Sequence, residues 1–387
     1  MDHDVKNNNS PHITKIIFWK WWRSVDQQLL IAVSILISIS MLLVTTSSSA
    51  VALRIGVHED YFATRHIFYV LGSYILMVGF SYIESDSIKK IAIIGFICNL
   101  LLLILVKFYG YDVKGARRWI NILGFSLQPS EFIKPCFAVL TGFIFSYFSN
   151  RNYSFITTSL VFTIIAGLLI SQPDLGMLIT LTGIWGIQLF VAGLPIIWII
   201  FSFILLVAGL YFAYKLLPHA TARIDNFLHP TLSENYQVTQ SLNAFKHGGL
   251  FGTGPGEGTV KRSIPDSHSD FIFAVAGEEF GAILCIFISL VFAFIVIRGI
   301  ILLYKKKDDF LVISASGIIA QLAIQSIINM GVSLNLLPTK GMTLPFISYG
   351  GSSTLSIGIA AGILLSFSKT NYTINTKYNI QQDTIVI

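Results

Sequence analysis

The chain has 387 residues, 54% of them hydrophobic and 12% charged, with a formal net charge of +6 and a mean hydropathy of +0.71. A soluble domain carries about 25% charged residues, so the composition excludes a soluble globular enzyme and points to an integral membrane protein. Cys98, Cys136 and Cys285 all fall inside apolar stretches and read as small core residues, with no disulfide expected.

Residues 1–28 are polar, basic and aromatic, and within them "KIIFWKWWRS" (15–24) reads as lying along an inner membrane surface or touching cytosolic proteins. A membrane helix needs roughly 20 apolar residues. Such stretches follow at 29–48, 66–83, 90–108, 131–149, 154–171, 174–193, 195–214, 271–304, 309–331 and 345–367. "SSSAVA" (47–52) mimics a signal-peptidase site, but the apolar stretch before it exceeds the roughly 7–15 residues of a signal peptide. The first helix is therefore read as uncleaved. The eighth stretch is too long for one span, which puts its first turns at or above the interface.

The expected fold is an all-α polytopic bundle of about ten transmembrane helices (29–367), with a cytoplasmic N-terminal segment (1–28) and a cytoplasmic tail (368–387). Lys20, Arg23, Lys89, Lys90, Arg151 and Lys305 to Lys307 then share the cytoplasmic side, as the positive-inside rule asks. Loops 109–130, 215–270 and 332–345 share the opposite side, the largest of them between helices 7 and 8. Their cations are not required by topology and suit an anionic group.

In the first loop, "GARRWI" sets Arg117 and Arg118 beside an interfacial Trp. Guanidinium forks match phosphate oxygens, and lipid headgroups explain the pair equally well. "QPSEFIKP" reads as a helix start capped by Ser130, with Glu131 and Lys134 one turn apart and paired as a structural ion pair. "SQPDLGM" (171–177) is a tight turn in which Asp174 suits a helix N-terminus.

The long loop holds a glycine-rich stretch from Gly252 to Gly258. It lacks the GK[ST] ending of a phosphate-binding loop and follows no strand, so it is read as a flexible turn bringing Lys261 and Arg262 to the membrane surface. "SHSDFIFAVAGEEFG" follows, with His268 and Asp270 just ahead of an apolar helix. Glu278 and Glu279 point about 100° apart on that helix, so at most one faces the same cavity as Asp270, and the other is expected to pair with a basic group or a helix terminus. His268 reads as a loop residue, since no second His or Cys stands at metal-ligand spacing. In "LNLLPTKGMTLPFISYGGSS", Pro338, Gly341 and Pro345 break helix, and Lys340 is the only charge. Irregular backbone at membrane depth survives only around a cavity, so this segment is read as a cavity wall.

Together "GARRWI", "QPSEFIKP", "QPDLGM", "YQVTQSL", "SHSDFIFAVAGEEFG" and "LLPTKGMTLPFISYGGSS" resemble the SEDS proteins (shape, elongation, division and sporulation) from about the first span to the last. "PTKG" and "GPGEGTVKR" resemble the division type more than the elongation type. Ser269 and Asn335 depart mildly, standing where the family more often has Thr and Gly. The resemblance implies a glycosyltransferase that polymerises lipid II into peptidoglycan beside a class B penicillin-binding protein and other division-complex proteins. It implies a multi-pass inner-membrane location at the septum and no nucleic-acid partner.

On that reading Asp270 is the general base. Arg117, Arg118, Lys261 and Arg262 are candidates for the lipid diphosphate, with Glu131, Lys134, Asp174, His268, Glu278 and Lys340 around the substrate. A bound divalent cation (Mg or Mn) could share the work on the diphosphate, and no other cofactor is expected. A lipid II transporter and a division scaffold stay open as alternatives.

Overall fold

The computed structural model describes residues 18–113, 116–122, 124–195, 236–339 and 341–369, with isolated positions between 197 and 221. Residues 18–24 are helical and lead into α1 (Gln27–Arg54), α2 (Tyr61–Tyr82) and α3 (Ser85–Tyr109). Three strands follow: β1 (Tyr111–Val113), β2 (Ala116–Ile122) and β3 (Phe125–Leu127). Then come α4 (Pro129–Tyr147), α5 (Arg151–Ser171), α6 (Leu175–Val191), α7 (Tyr236–Gly248), a 3₁₀ turn (Val260–Ser263), α8 (Ile272–Tyr304), α9 (Asp309–Ser333) and α10 (Gly351–Phe367).

Among the described residues, six helices are long and apolar enough to cross a membrane: α1, α2, α3, α5, α8 and α9. The apolar helices α6 and α10 are shorter. The seventh expected span, 195–214, and the part of the long loop over 222–235 lie essentially outside the described residues, as do both chain ends.

Small residues set the helix contacts, as expected where lipid supplies no hydrophobic drive between helices. A side chain at Gly358 or Gly362 of α10 would strike the backbone of Ser73 or Met77 on α2, and one at Gly142 of α4 would strike Ser314 on α9. Pro135 interrupts the hydrogen-bond ladder of α4 and frees the carbonyl of Glu131. Ser356 Oγ on α10 supplies the missing donor at 2.7 Å. The broken rung of one helix thus becomes a tether to another.

Two ends emerge. At one, the Asp26 carboxylate caps α1 through the Leu29 amide and receives Arg298, Nη2 to Oδ2 2.6 Å. Arg151 pairs with Asp309 at this end too, and Trp21 Nε1 bonds Ser81. At the other end, Arg118 reaches the turn at Gln172, the Gln128 amide reaches Ser352, and the Tyr349 amide donates to His268.

Segment 109–130, expected as a loop, is an antiparallel sheet in the order β1-β2-β3. Strand pairing of this kind leaves no helical periodicity in the sequence to signal it. Gln128, not Ser130, occupies the N-cap of α4, because Pro129 supplies the first helical position without needing a hydrogen-bond acceptor. The long loop likewise contains α7, an amphipathic helix whose buried side (Val238, Ser241, Ala244, Gly248) packs on α8.

Candidate functional site

A cleft of about 560 Å³ opens at the second end. Its walls come from five separate stretches: Arg65 and Tyr69 of α2, Arg118 and Trp119 of β2, Gln128 and Glu131 at the start of α4, the 266–271 segment, and the 341–351 segment.

Asp270 lies two residues before α8, half-buried on the cleft wall. Its backbone is held at both ends: its amide donates to Asp266 at 3.1 Å, and its carbonyl accepts from Asn329 Nδ2 at 2.9 Å. The same Asn329 amide reaches the carbonyl of Met342 at 2.6 Å, so one side chain ties the aspartate's segment to the facing wall. A Cβ at Gly341 would sit 3.1 Å from Asp270 Oδ2, so glycine there keeps the approach to the carboxylate open.

Arg117 and Arg118 part company at a register shift in the β1–β2 pair, where Tyr111 faces Trp119 and Asp112 faces Arg117, leaving Arg118 as the extra residue. Arg118 lines the cleft, while Arg117 is exposed and does not. The Arg118 guanidinium donates to the carbonyls of Gln172 (3.2 Å) and Pro173 and stands 3.6 Å from Asp174 Oδ1. Asp174 is buried beneath it. Burial pushes that carboxyl above the usual range, and Arg118 opposes the shift. Asp174 stands just before α6 and also accepts from Gln128 Nε2 and Ser130 Oγ, each at 3.5 Å, so one buried carboxylate gathers Arg118 and the start of α4.

Glu131 lines the cleft floor and takes a 2.7 Å bond from Lys134, which is 1% exposed and also touches Met177 Sδ at 3.4 Å. His268 sits between the tilted rings of Phe62 (4.5 Å between centroids) and Tyr349 (5.1 Å). Burial lowers its pKa to about 4, with Asp266 pulling the other way. Burial pushes the Tyr349 phenol up to about 12.

Glu278, Glu279, Lys261 and Arg262 also lie away from this cleft. Glu278 is 0% exposed and accepts the amides of Val260 and Lys261, each at 2.7 Å, with His247 Nδ1 at 3.0 Å. Glu279 binds the buried Lys261 ammonium, which also donates to the carbonyls of Thr46 (2.9 Å) and Gly256 (3.2 Å). Lys261 is therefore spent inside the protein and does not reach a surface ligand, contrary to the flexible-turn expectation. A buried ammonium needs a full set of acceptors, and here α1, the glycine-rich stretch and α8 each provide one, at Thr46, Gly256 and Glu279. Arg262 stays exposed, its carbonyl taken by Arg54. Lys340 lies outside the described residues.

Sequence reasoning passed over Arg65, Tyr69, Tyr349 and Asn329. Arg65 stands at the edge of an apolar stretch and reads there as an interfacial charge. Asn329, a polar residue inside an apolar span, was the signal that could have been followed.

Comparison with known proteins assigns the chain. A family model described as "Cell cycle protein" (FtsW/RodA/SpoVE) matches residues 27–373. A Caulobacter vibrioides protein named "Probable peptidoglycan glycosyltransferase FtsW" is 40% identical over 350 residues, covering 89% of this chain and 90% of its own length. One of the same name from Trichlorobacter lovleyi is 35% identical over 353 residues, covering 89% of this chain and 93% of its own. Among solved structures, a chain in "Structural coordination of polymerization and crosslinking by a peptidoglycan synthase complex" superposes with a TM-score of 0.75 at 23% identity, over 89% of this chain and 97% of its own. The rod shape determining protein RodA of Thermus thermophilus gives a TM-score of 0.66 at 22% identity, over 90% and 97%. The bundle, its cleft end and its six motifs belong together: the chain is a member of the FtsW/RodA/SpoVE family, the SEDS proteins that its sequence resembles.

Proposed function

We propose that the protein is a peptidoglycan glycosyltransferase that polymerises lipid II, with Asp270 as its general base. The observation that carries this reading is the sharing of one cleft by the Asp270 carboxylate and the Arg65 and Arg118 guanidiniums. The names of the relatives support the reaction class.

In inverting glycosyl transfer the acceptor hydroxyl gives its proton to a carboxylate as its oxygen attacks the anomeric carbon. The bond from that carbon to the lipid diphosphate breaks on the opposite face, and the departing group carries away the electron pair. Asp270 takes the proton. Arg118 and Arg65 balance the charge growing on the diphosphate, the task for which guanidiniums suit best. Trp119, Tyr69 and Tyr349 offer flat apolar faces to sugar rings. Glu131 and Lys134 close the floor and Asp174 steadies Arg118, so these three shape the site from behind.

A divalent cation bound by the protein alone finds no cage here: among the described residues no three His, Cys, Asp or Glu side chains gather to hold an ion. No step above is routed through a metal.

The setting we infer is the inner membrane at the division septum, with both termini cytoplasmic and a class B penicillin-binding protein as partner. The relatives' FtsW name and the fold shared with a chain of a peptidoglycan synthase complex support it. The test is glycan synthesis in liposomes holding the purified protein, its partner and lipid II. Asp270→Asn is expected to lower polymer formation by about 10²–10⁴-fold, the usual worth of a general base, while partner binding persists. Polymer at the native rate would remove Asp270 from that role.

A further inference from the structure

Gln321, Gln325 and Asn329 recur every four residues along α9 and so share one flank of that helix. They are 0%, 0% and 2% exposed. Among the described residues, neither amide atom of Gln321 or Gln325 has a hydrogen-bond partner, and neither has Asn329 Oδ1. Buried amides left unpaired in apolar surroundings are costly and rare in native proteins. Five such atoms on one flank call for a common ligand.

Packing shows what stands opposite. Gly142 of α4 meets Ser314 of α9, and Ala138 meets Gly317, so the two helices run antiparallel. One and two turns further on, that register brings Lys134 and Glu131 level with Gln321 and Gln325. On α6, Gln188 meets Gly317 and Gly183 meets Ile324, again antiparallel, which closes the third side of the seam. The seam therefore faces the cleft floor at Glu131 and the Asn329 clamp.

We propose that this α4–α6–α9 seam binds a file of internal waters, continuous with the cleft through Glu131 and Asn329. The chemistry suits water better than any larger ligand. An ordered buried water needs two to four polar partners, and the seam offers amide donors and acceptors beside an ammonium and a carboxylate. From Gln321 to Asn329 the file extends roughly 12 Å along the helix axis. It hydrates an ion pair that otherwise has the Met177 thioether for a neighbour. It also completes Asn329, whose amide protons already hold the carbonyls of Asp270 and Met342. The inference does not depend on the reaction proposed above.

Hydroxyl-radical footprinting by X-ray radiolysis tests it, because radicals form from bound water where the water lies. The full chain in lipid nanodiscs supplies its own probe and reference. Met177 is 4% exposed beside Lys134, and Met77 is 1% exposed against α10. Met177 is expected to oxidise several-fold faster than Met77. In the double variant Gln321→Leu with Gln325→Leu, which keeps the bulk and removes the amides, the Met177 rate is expected to fall toward that of Met77. Equal rates in the native protein would overturn the proposal. So would a Met177 rate unchanged in a variant that melts as a folded protein, since hydration would then come from the cleft alone.

Discussion

His268 shows how far placement rewrites a residue's chemistry. In the sequence it is a loop histidine beside an aspartate. In the structure it is 6% exposed, held between two tilted rings, with Arg54 and Asp266 as charged neighbours. Its folded pKa of about 4 lies below the 6.5 of the unfolded chain. Between those values the unfolded state takes up a proton that the folded state refuses, so stability falls as pH drops from 6.5 toward 4 and is unaffected by this group above 6.5. The difference is on the order of 3 kcal/mol. Thermal melts of the purified protein across this window are expected to slope downward with acid, and His268→Gln is expected to flatten the slope. An unchanged slope would show that His268 does not cause it. The neighbouring Asp270 was legible because a carboxylate ahead of an apolar helix is conspicuous in any membrane sequence. Arg118 and Arg117 were not separable, since an irregularity in the β1–β2 register decides between them and the strand itself was unseen.

At the scale of elements, the apolar helices were readable from composition, whereas the extramembrane structure was not. The β1–β3 sheet and α7 are built from short segments whose partners lie elsewhere in the chain, and local pattern carries little of that. The glycine-rich loop is the instructive case. Gly252 (φ 81°) and Gly281 (φ 74°) adopt backbone that side chains disfavour, and they do so against each other. α8 breaks its helical backbone at Gly281, and the amides of Ala282 and Ile283 donate to the carbonyls of Gly249 (2.9 Å) and Leu250 (3.4 Å). The loop thus stands in for a missing helical turn. A Cβ at Gly281 would lie 2.2 Å from the Leu250 carbonyl oxygen, in a conformation open in practice only to glycine. Gly281→Ala is expected to cost more than about 2 kcal/mol, read as a lowered melting temperature. A variant that melts like the native protein would mean that the loop and helix are not joined this way.

For the whole molecule, the question left by the sequence was polymerase or transporter. A transporter sets its charges near the bilayer midplane, where alternating access pivots. Here Asp270, Arg65 and Arg118 gather at one end of the bundle, just before α8, near the start of α2 and on β2, rather than mid-helix. Liposomes carrying labelled lipid II are therefore expected to form polymer without an accelerated exchange of label between leaflets. Exchange that matches the rate of polymerisation, and that is lost with it, would favour transport. Length and hydropathy gave the class of molecule, but not which ends of which helices meet. That information resides in long-range contacts such as Arg118 with Gln172 or Asn329 with Asp270.

The splice between loop and helix at Gly281 bears on how the chain is made. Lys261 is translated before Glu279, and the amides of Val260 and Lys261 before the Glu278 carboxylate that they bind. The nascent loop must wait, its ammonium still solvated, until the next hydrophobic segment leaves the ribosome carrying both acids. Assembly of this end of the bundle thus waits for the arrival of two adjacent glutamates.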